Sequence, residues 1–108
     1  LSTLTILVDY NEMQSYGTTH EVQELEPFAD KWRSFGASVV EADGHDVKGL
    51  QDILSRIPFA ADRPSVIICH TVKGKGVPSI EHNAQWHHKA KVSADELALL
   101  KRELEGQL

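Results

Sequence analysis

The chain has 108 residues, of which 41% are hydrophobic and 25% are charged, as is typical of one globular domain or part of one. Its formal net charge of −5 argues against a protein that binds duplex nucleic acid, which normally presents a basic face. No apolar run approaches the roughly 20 residues of a membrane-spanning helix, and no signal-peptide pattern opens the chain. We therefore expect neither nucleic acid nor a membrane as a partner.

The first half of the chain predicts a strand, a loop and a helix. Residues 4–8 form a continuous apolar run, typical of a strand buried on both faces of a parallel sheet. Residues 10–20 are polar and predict a long loop. A helix is predicted to begin near Pro27 and to end at Gly36. Its expected apolar stripe consists of Phe28, Trp32 and Phe35.

The middle of the chain predicts a second strand, a second helix and a third strand. The second strand spans residues 37–42, and Asp46 is the expected N-cap of the helix that follows. The third strand spans residues 65–71. It contains the single cysteine, Cys69, for which we expect a buried, reduced thiol that fits a cytoplasmic protein. The apolar face of the helix comprises Val47, Leu50, Ile53, Leu54 and Ile57.

A long loop, residues 72–92, precedes the last predicted helix. That helix begins at Ser93, where residues 93–96 form a capping box, and its apolar stripe consists of Leu97, Leu100 and Leu104. Strands that alternate with helices predict an α/β fold with a parallel sheet and right-handed crossovers. Three strands make only a partial sheet, and further strands are expected from other residues or from a partner. The chain opens on Leu1 without an initiator methionine, so we expect it to be part of a longer polypeptide.

Oxygen ligands follow the first strand. Mg²⁺ takes a near-octahedral set of oxygen atoms, commonly with few protein ligands and with phosphate oxygens and water in the other positions. The side-chain carbonyl of Asn11 and the main-chain carbonyl of Met13 are able to supply two neighbouring positions. The alternative is that Asn11 only begins a turn after the strand.

Glycines, lysines and histidines follow the third strand. In residues 73–76, Lys-Gly-Lys-Gly, the glycines allow backbone amides to turn towards an anion, although an exposed flexible turn is an alternative. His82, His87 and His88 form a cluster for which zinc is a competing ligand. The sequence has no second cysteine and no His-Glu-x-x-His pattern, so an imidazole beside a phosphate is the favoured interpretation.

Together these segments resemble the thiamine-diphosphate-binding domain of transketolases. Residues 8–14 (Val-Asp-Tyr-Asn-Glu-Met-Gln) resemble the end of the family's cofactor motif. Residues 42–46 (Ala-Asp-Gly-His-Asp), 69–77 (Cys-His-Thr-Val-Lys-Gly-Lys-Gly-Val) and 83–89 (Asn-Ala-Gln-Trp-His-His-Lys) resemble later landmarks in the same order, and residues 93–96 match the closing helix. The resemblance is strongest to the N-terminal subunit of split transketolases and weaker to 1-deoxyxylulose-5-phosphate synthase.

The resemblance implies a partial parallel-sheet thiamine-diphosphate-binding fold in which residues 1–108 are the C-terminal portion of the diphosphate-binding domain, with no second domain. It implies that Asn11, through its side chain, and Met13, through its main-chain oxygen, bind Mg²⁺. His87 is the implied catalytic residue, although many relatives have glycine where this chain has His88. The implied cofactor-binding residues are Asn11, Met13, Ser15, Gly17, Lys73, His87 and Lys89.

The resemblance also implies a reaction and partners. Transketolases transfer a two-carbon ketol unit between sugar phosphates, using chemistry that thiamine diphosphate supplies. The family's Gly-Asp-Gly segment and its activating glutamate do not occur in these 108 residues. We therefore expect an enzyme fragment or subunit that is inactive by itself and that needs the N-terminal part of its domain and a pyrimidine-binding subunit in a hetero-oligomer.

Two other functions stay open at this point. The chain could be a non-catalytic assembly or regulatory module that keeps the fold, or a zinc- or phosphate-binding domain unrelated to thiamine. Retention of Asn11 and His87 argues against loss of the chemistry.

Overall fold

The fold was analysed in a computed structural model that describes residues 1–106. The chain forms two compact units: the first contains Leu1–Asn11 and Glu24–Thr71, and the second contains Glu12–Gln23 and the chain from Val72 onwards. The predicted domain span, residues 1–108, extends two residues beyond the described part. In chain order the elements are β1 (Thr5–Tyr10), β2 (Met13–Gln14), β3 (Gly17–Thr18), α1 (Thr19–Val22), α2 (Phe28–Ser34), β4 (Ser38–Asp43), α3 (Val47–Leu54), β5 (Ser65–His70), a 3-10 turn (Ala84–Trp86) and α4 (Ala94–Glu105).

The first unit is built on a parallel sheet with the strand order β1-β5-β4. This arrangement confirms the predicted α/β class. Tyr10, His70 and Asp43 are paired in register at the carboxyl ends of the three strands. The loops that leave this edge therefore start at the same level, which is where open α/β sheets bind ligands.

The central strand, β5, is the core of the first unit. Val66, Ile67 and Ile68 are 0–1% exposed, and Cys69 is a buried free thiol, as predicted. Burial raises the pKa of the Cys69 thiol, with a smaller contribution from the negative charge of Asp9. The thiol therefore stays protonated and unreactive at neutral pH.

The prediction that the first strand is buried on both faces is wrong for β1. Leu7 is 57% exposed, whereas Tyr10 on the other face is buried. The apolar run was a correct signal for a strand, but β1 has only one described neighbour, β5. Its Leu7 face consequently lacks the packing partners that β5 has on both faces.

Helix α2 covers one face of the sheet. Phe28 stacks on Tyr10 with ring centroids 5.2 Å apart, and Trp32 packs against the same core cluster. Phe35, predicted to continue this stripe, is instead 85% exposed. The reason is that the helix ends at Ser34 and the positive φ of Gly36 turns the chain, so that helical spacing no longer applies at Phe35.

Helix α3 begins as predicted and ends earlier. The Asp46 carboxylate accepts a hydrogen bond from the Gly49 amide at 3.0 Å, which confirms the N-cap. The helix ends at Leu54, so Ile57 lies outside it, and Val47 at its start is 68% exposed. The predicted apolar face is therefore only partly packed.

The second unit contains structure where a loop was predicted. Residues 13–22 form an antiparallel β2–β3 hairpin and the short helix α1, which has a Thr18–Glu21 capping box. Elements of two to four residues are too short for a periodic pattern, so only the Thr-x-x-Glu spacing could have indicated them. The Ser93–Glu96 capping box that starts α4 is confirmed. None of the described helices is long and apolar enough to cross a membrane.

We expect Ile68→Ala to lower the free energy of unfolding by about 2–5 kcal/mol, because the substitution leaves a cavity in a fully buried strand. Phe35→Ala removes a larger side chain, but we expect a change within about 0.5 kcal/mol because that ring is exposed. Urea denaturation of both variants measures the difference. Equal losses of stability would contradict this description of the core.

Candidate functional site

The carboxyl edge of the sheet fixes the point from which Asn11 leaves β1. The Thr71 hydroxyl donates a hydrogen bond to the Asp9 carboxylate, and the Thr71 amide donates to the Tyr10 carbonyl at 3.2 Å. The Gly44 amide donates to the His70 carbonyl at 2.8 Å. These bonds join the ends of all three strands immediately beside Asn11.

Gly44, within the Asp-Gly-His-Asp motif, is required by close packing at this edge. A Cβ atom at position 44 would lie 2.4 Å from the Thr71 side chain and 3.1 Å from the His70 carbonyl oxygen. Any side chain there would push β4 away from the residue that ends β5. The glycine therefore maintains the edge, and the structure gives it no chemical role.

A buried aromatic group lies at the same edge. The Tyr10 hydroxyl donates to the Glu26 carboxylate at 2.7 Å, and the Phe28 amide donates to the same carboxylate at 2.8 Å. These two hydrogen bonds lower the pKa of Glu26. His70 packs edge-on against Tyr10 and contacts the Glu41 carboxylate at 2.8 Å. The strand end before Asn11 is thus held by side chains on both sides.

The predicted Mg²⁺ ligand Met13 and the predicted cofactor residues Ser15 and Gly17 belong to the hairpin of the second unit. Glu12, between Asn11 and Met13, has a φ of +57°, so the chain turns sharply there. The Thr19 amide donates to the Glu12 carbonyl at 2.8 Å and holds this turn.

Gln14 is a residue that the sequence interpretation missed. Its side-chain nitrogen is buried and, among residues 1–106, makes no hydrogen bond. A buried polar group without a partner is costly and indicates a site for a polar ligand. Its place in the cofactor-like segment, next to Met13, was the only available signal.

The Lys-Gly-Lys-Gly segment does not form the expected amide cradle. The amides of Lys75, Gly76 and Val77 already donate within the second unit, that of Gly76 to the Glu81 carboxylate at 3.0 Å. Gly74 has a φ of +80°, and a Cβ there would lie 2.8 Å from Ile80. The segment is therefore a packed turn, and the Lys73 side chain, rather than these amides, is suited to meet an anion.

His87 carries the clearest electrostatic signature of the second unit. Its Nδ1 atom is buried and, within the described part of the chain, has no hydrogen-bond partner. Burial lowers the pKa of His87, and the positive charges of Lys73 and His88 lower it further. The imidazole is therefore neutral at pH 7 and able to donate or accept a hydrogen bond.

His88 adopts the conformation that glycine adopts freely. Its φ is +58°, and its ring packs edge-on against that of His87 with centroids 4.5 Å apart. A non-glycine residue in this region loses about 1–2 kcal/mol, and glycine avoids that cost. The histidine thus keeps the loop conformation of a glycine and adds a second imidazole beside His87.

Lys89 is already engaged within the second unit. Its ammonium group contacts the Glu96 carboxylate at 2.5 Å and lies 4.3 Å from the centre of the Trp86 ring. Hydrogen bonds from Lys89 and from the Ser93 amide lower the pKa of Glu96 to about 2. This geometry gives Lys89 a structural link to α4, and its predicted contact with the cofactor stays a prediction.

The zinc alternative gains no support from the geometry. Within residues 1–106, no group of three or more His, Cys, Asp or Glu side chains is arranged to hold a metal ion. A site made of amide and main-chain carbonyl oxygens, such as that predicted for Mg²⁺ at Asn11 and Met13, is a different kind of site and is not addressed by this result.

The parallel sheet, with a polar amide leaving its carboxyl edge and a basic, histidine-containing loop after its central strand, defines a cofactor-binding α/β domain. The sequence profile of "Transketolase, thiamine diphosphate binding domain" matches residues 1–107. The chain belongs to this transketolase family, as its motifs predict.

Similar proteins include single subunits of split transketolases. The chain is 39% identical over 88 residues to the A-type component of the apulose-4-phosphate transketolase of Phocaeicola vulgatus, covering 82% of this chain and 31% of that protein. It is 39% identical over 88 residues to the 6-deoxy-6-sulfo-D-fructose transketolase subunit SqwG of a Clostridium species, covering 82% of this chain and 32% of that protein. Transketolase-like protein 2 of Bos taurus is 30% identical over 102 residues, which is 93% of this chain and 16% of that protein. The chain thus spans about a third of the length of the split-transketolase proteins that it matches.

Proposed function

We propose that this chain is part of a transketolase-like transferase that moves a two-carbon ketol unit between sugar phosphates. The observation that carries the proposal is the family match over residues 1–107, which includes every segment with a candidate site residue. The relatives whose names describe one component of a divided transketolase support a hetero-oligomer with a pyrimidine-binding subunit. The rest of the diphosphate-binding domain would come from residues beyond these 108.

The described residues fit a bound diphosphate in their chemistry. Lys73 supplies a positive charge that is felt at His87, and His87 offers an unpartnered, buried ring nitrogen. Gln14 adds a buried side-chain nitrogen without a partner in the described chain. These groups are the hydrogen-bond donors that phosphate oxygens require.

In the proposed site, Asn11 and Met13 hold Mg²⁺ through oxygen atoms, and Ser15 and Gly17 border the cofactor. Lys73 and His87 contact the diphosphate side, with Lys89 nearby. Thiamine diphosphate supplies the carbanion chemistry of the transfer when it is bound. The role of the protein is to anchor the diphosphate and to keep His87 neutral and correctly oriented beside the substrate.

The proposal is tested by calorimetric titration of thiamine diphosphate in the presence of Mg²⁺. We expect the complete assembly, with its pyrimidine-binding subunit, to bind the cofactor at least about 100-fold more tightly than the 108-residue chain alone, a difference of about 2.7 kcal/mol. Removal of Mg²⁺ by EDTA should abolish the binding. Tight binding by the chain alone would contradict the predicted need for partners.

The same assembly distinguishes the enzyme from a non-catalytic module. A transferase consumes a ketose phosphate and an aldose phosphate only when thiamine diphosphate and Mg²⁺ are present. An assembly that forms but shows no cofactor-dependent transfer with any sugar phosphate would contradict the proposed activity. We further propose a cytoplasmic location, which fits the reduced, buried thiol of Cys69.

A further inference from the structure

Glu96, in the first turn of α4, makes three contacts at once. One carboxylate oxygen accepts from the Lys89 ammonium at 2.5 Å, and the other accepts from the Ser93 amide at 2.8 Å. The Glu96 amide in turn donates to the Ser93 hydroxyl at 3.2 Å. One side chain therefore both caps α4 and binds the segment that precedes it.

A second carboxylate on α4 binds the other part of the same loop. Glu103 accepts hydrogen bonds from the Ser79 amide at 3.1 Å and from the Ser79 hydroxyl at 2.7 Å. Glu96 and Glu103 are seven residues apart, which is about two helical turns, so they lie on the same side of the helix. That side of α4 thus holds the loop at Ser79 and again at Lys89.

The contact at Lys89 extends to the residue next to His87. The Lys89 ammonium lies over the face of Trp86, 4.3 Å from the ring centre, in a cation–π contact. The His87 amide donates to the Ala84 carbonyl at 3.0 Å and closes the 3-10 turn that contains Trp86. The path Glu96–Lys89–Trp86 therefore ends at the backbone of His87.

We propose that α4 positions His87, with Glu96 acting through Lys89 and Trp86 and with Glu103 acting through Ser79. Glu96 and Glu103 are positioning residues that touch neither cofactor nor substrate. The inference rests on the proposed function, because His87 is the residue whose placement is controlled. It assigns to Lys89 a role between α4 and the cofactor loop.

Two substitutions separate positioning from helix capping. In Glu96→Gln, the single amide oxygen is still able to accept from the Ser93 amide, since glutamine also completes a capping box. The side-chain NH₂ group then faces the Lys89 ammonium, and the ion pair is lost. In Ser93→Ala, the hydroxyl cap is lost while the Glu96 carboxylate stays next to Lys89.

The two variants are compared with wild type in the complete assembly. We expect Glu96→Gln to weaken thiamine diphosphate binding about 10-fold, because misplacement of a site residue is costly even when the mutation is remote. Its Tm should be close to that of wild type. Ser93→Ala should lower Tm and leave cofactor affinity unchanged. Glu103→Ala, which removes the second anchor, should weaken binding in the same direction as Glu96→Gln.

Glu105→Gln is the matched control, because it makes the same chemical change at an exposed position of α4. Its cofactor affinity and Tm should equal those of wild type. Hydrogen-exchange mass spectrometry of the cofactor-free assembly provides a readout that is independent of binding. Residues 84–92 should exchange faster in Glu96→Gln than in Glu105→Gln.

The outcomes separate the two hypotheses. If the wild-type assembly binds no thiamine diphosphate, the proposed function fails, whereas faster exchange in Glu96→Gln still supports the link between α4 and the loop. If wild type binds the cofactor and Glu96→Gln binds equally well with unchanged exchange, the positioning role is overturned. Loss of affinity in Ser93→Ala equal to that in Glu96→Gln would overturn it too, because helix stability would then explain both.

Discussion

Replacement of Asn11 by alanine is expected to abolish Mg²⁺-dependent binding of thiamine diphosphate to the complete assembly. Alanine removes a side-chain oxygen from the predicted octahedral set, and Mg²⁺ tolerates incomplete protein coordination poorly when it must also hold a diphosphate. We expect the affinity to fall by at least about 100-fold, equivalent to about 2.7 kcal/mol. Calorimetric titration at fixed Mg²⁺ concentration measures the change.

Asn11→Asp is the matched control. Aspartate keeps an oxygen in the same place and adds a negative charge, so Mg²⁺-dependent binding should be retained. The bonds that fix the end of β1, from the Thr71 hydroxyl to Asp9 and from the Thr71 amide to Tyr10, are not altered in either variant. Both variants should therefore keep the Tm of wild type. Unchanged cofactor affinity in Asn11→Ala would remove Asn11 from the metal site.

The sheet could be predicted from the sequence because its strands are apolar runs that end in polar residues. The same signal could not distinguish a central strand from an edge strand. Leu7 and Ile67 occur in equally apolar runs and are paired in register, yet Ile67 is fully buried and Leu7 is exposed. Burial depends on strand order and on the covering layers, and both are set by contacts distant in sequence.

Short elements escaped prediction for a different reason. The β2–β3 hairpin and α1 contain two to four residues each, fewer than one period of a recognisable pattern. In contrast, α4 has twelve residues and a capping box, and its start was located to the residue. Phe35 was misplaced because helical spacing was extended one residue past the end of α2.

The site shows the same division between local and distant information. Asn11, Lys73 and His87 were identified because each occurs in a segment that resembles the family's motifs. Residue type alone did not reveal that the Lys89 ammonium is held by Glu96. Nor did it reveal that His88 takes a left-handed conformation, because φ depends on the packing of the whole loop.

His87→Ala is expected to slow turnover by about 100-fold with the fold retained, in the range usual for the loss of a residue that moves or orients a proton. The His87 side chain is only partly buried, so its removal should change Tm little. Steady-state kinetics of the complete assembly measure the effect. His45→Ala, in the turn after β4, is the control and should have wild-type kinetics. A normal kcat in His87→Ala would exclude His87 from the reaction.

The pH dependence of the wild-type enzyme provides a second test of His87. Burial and the charges of Lys73 and His88 lower the pKa of His87, so the ring is neutral above that value and gains a proton only in acid. The unfolded chain binds this proton more readily, and the associated stability is therefore present at neutral pH and lost as the pH falls below 6.5. Lys73→Met removes one positive charge, so the pKa of His87 should rise. The acid limb of the kcat profile should then move to higher pH, and an unmoved limb would contradict the electrostatic coupling of Lys73 to His87.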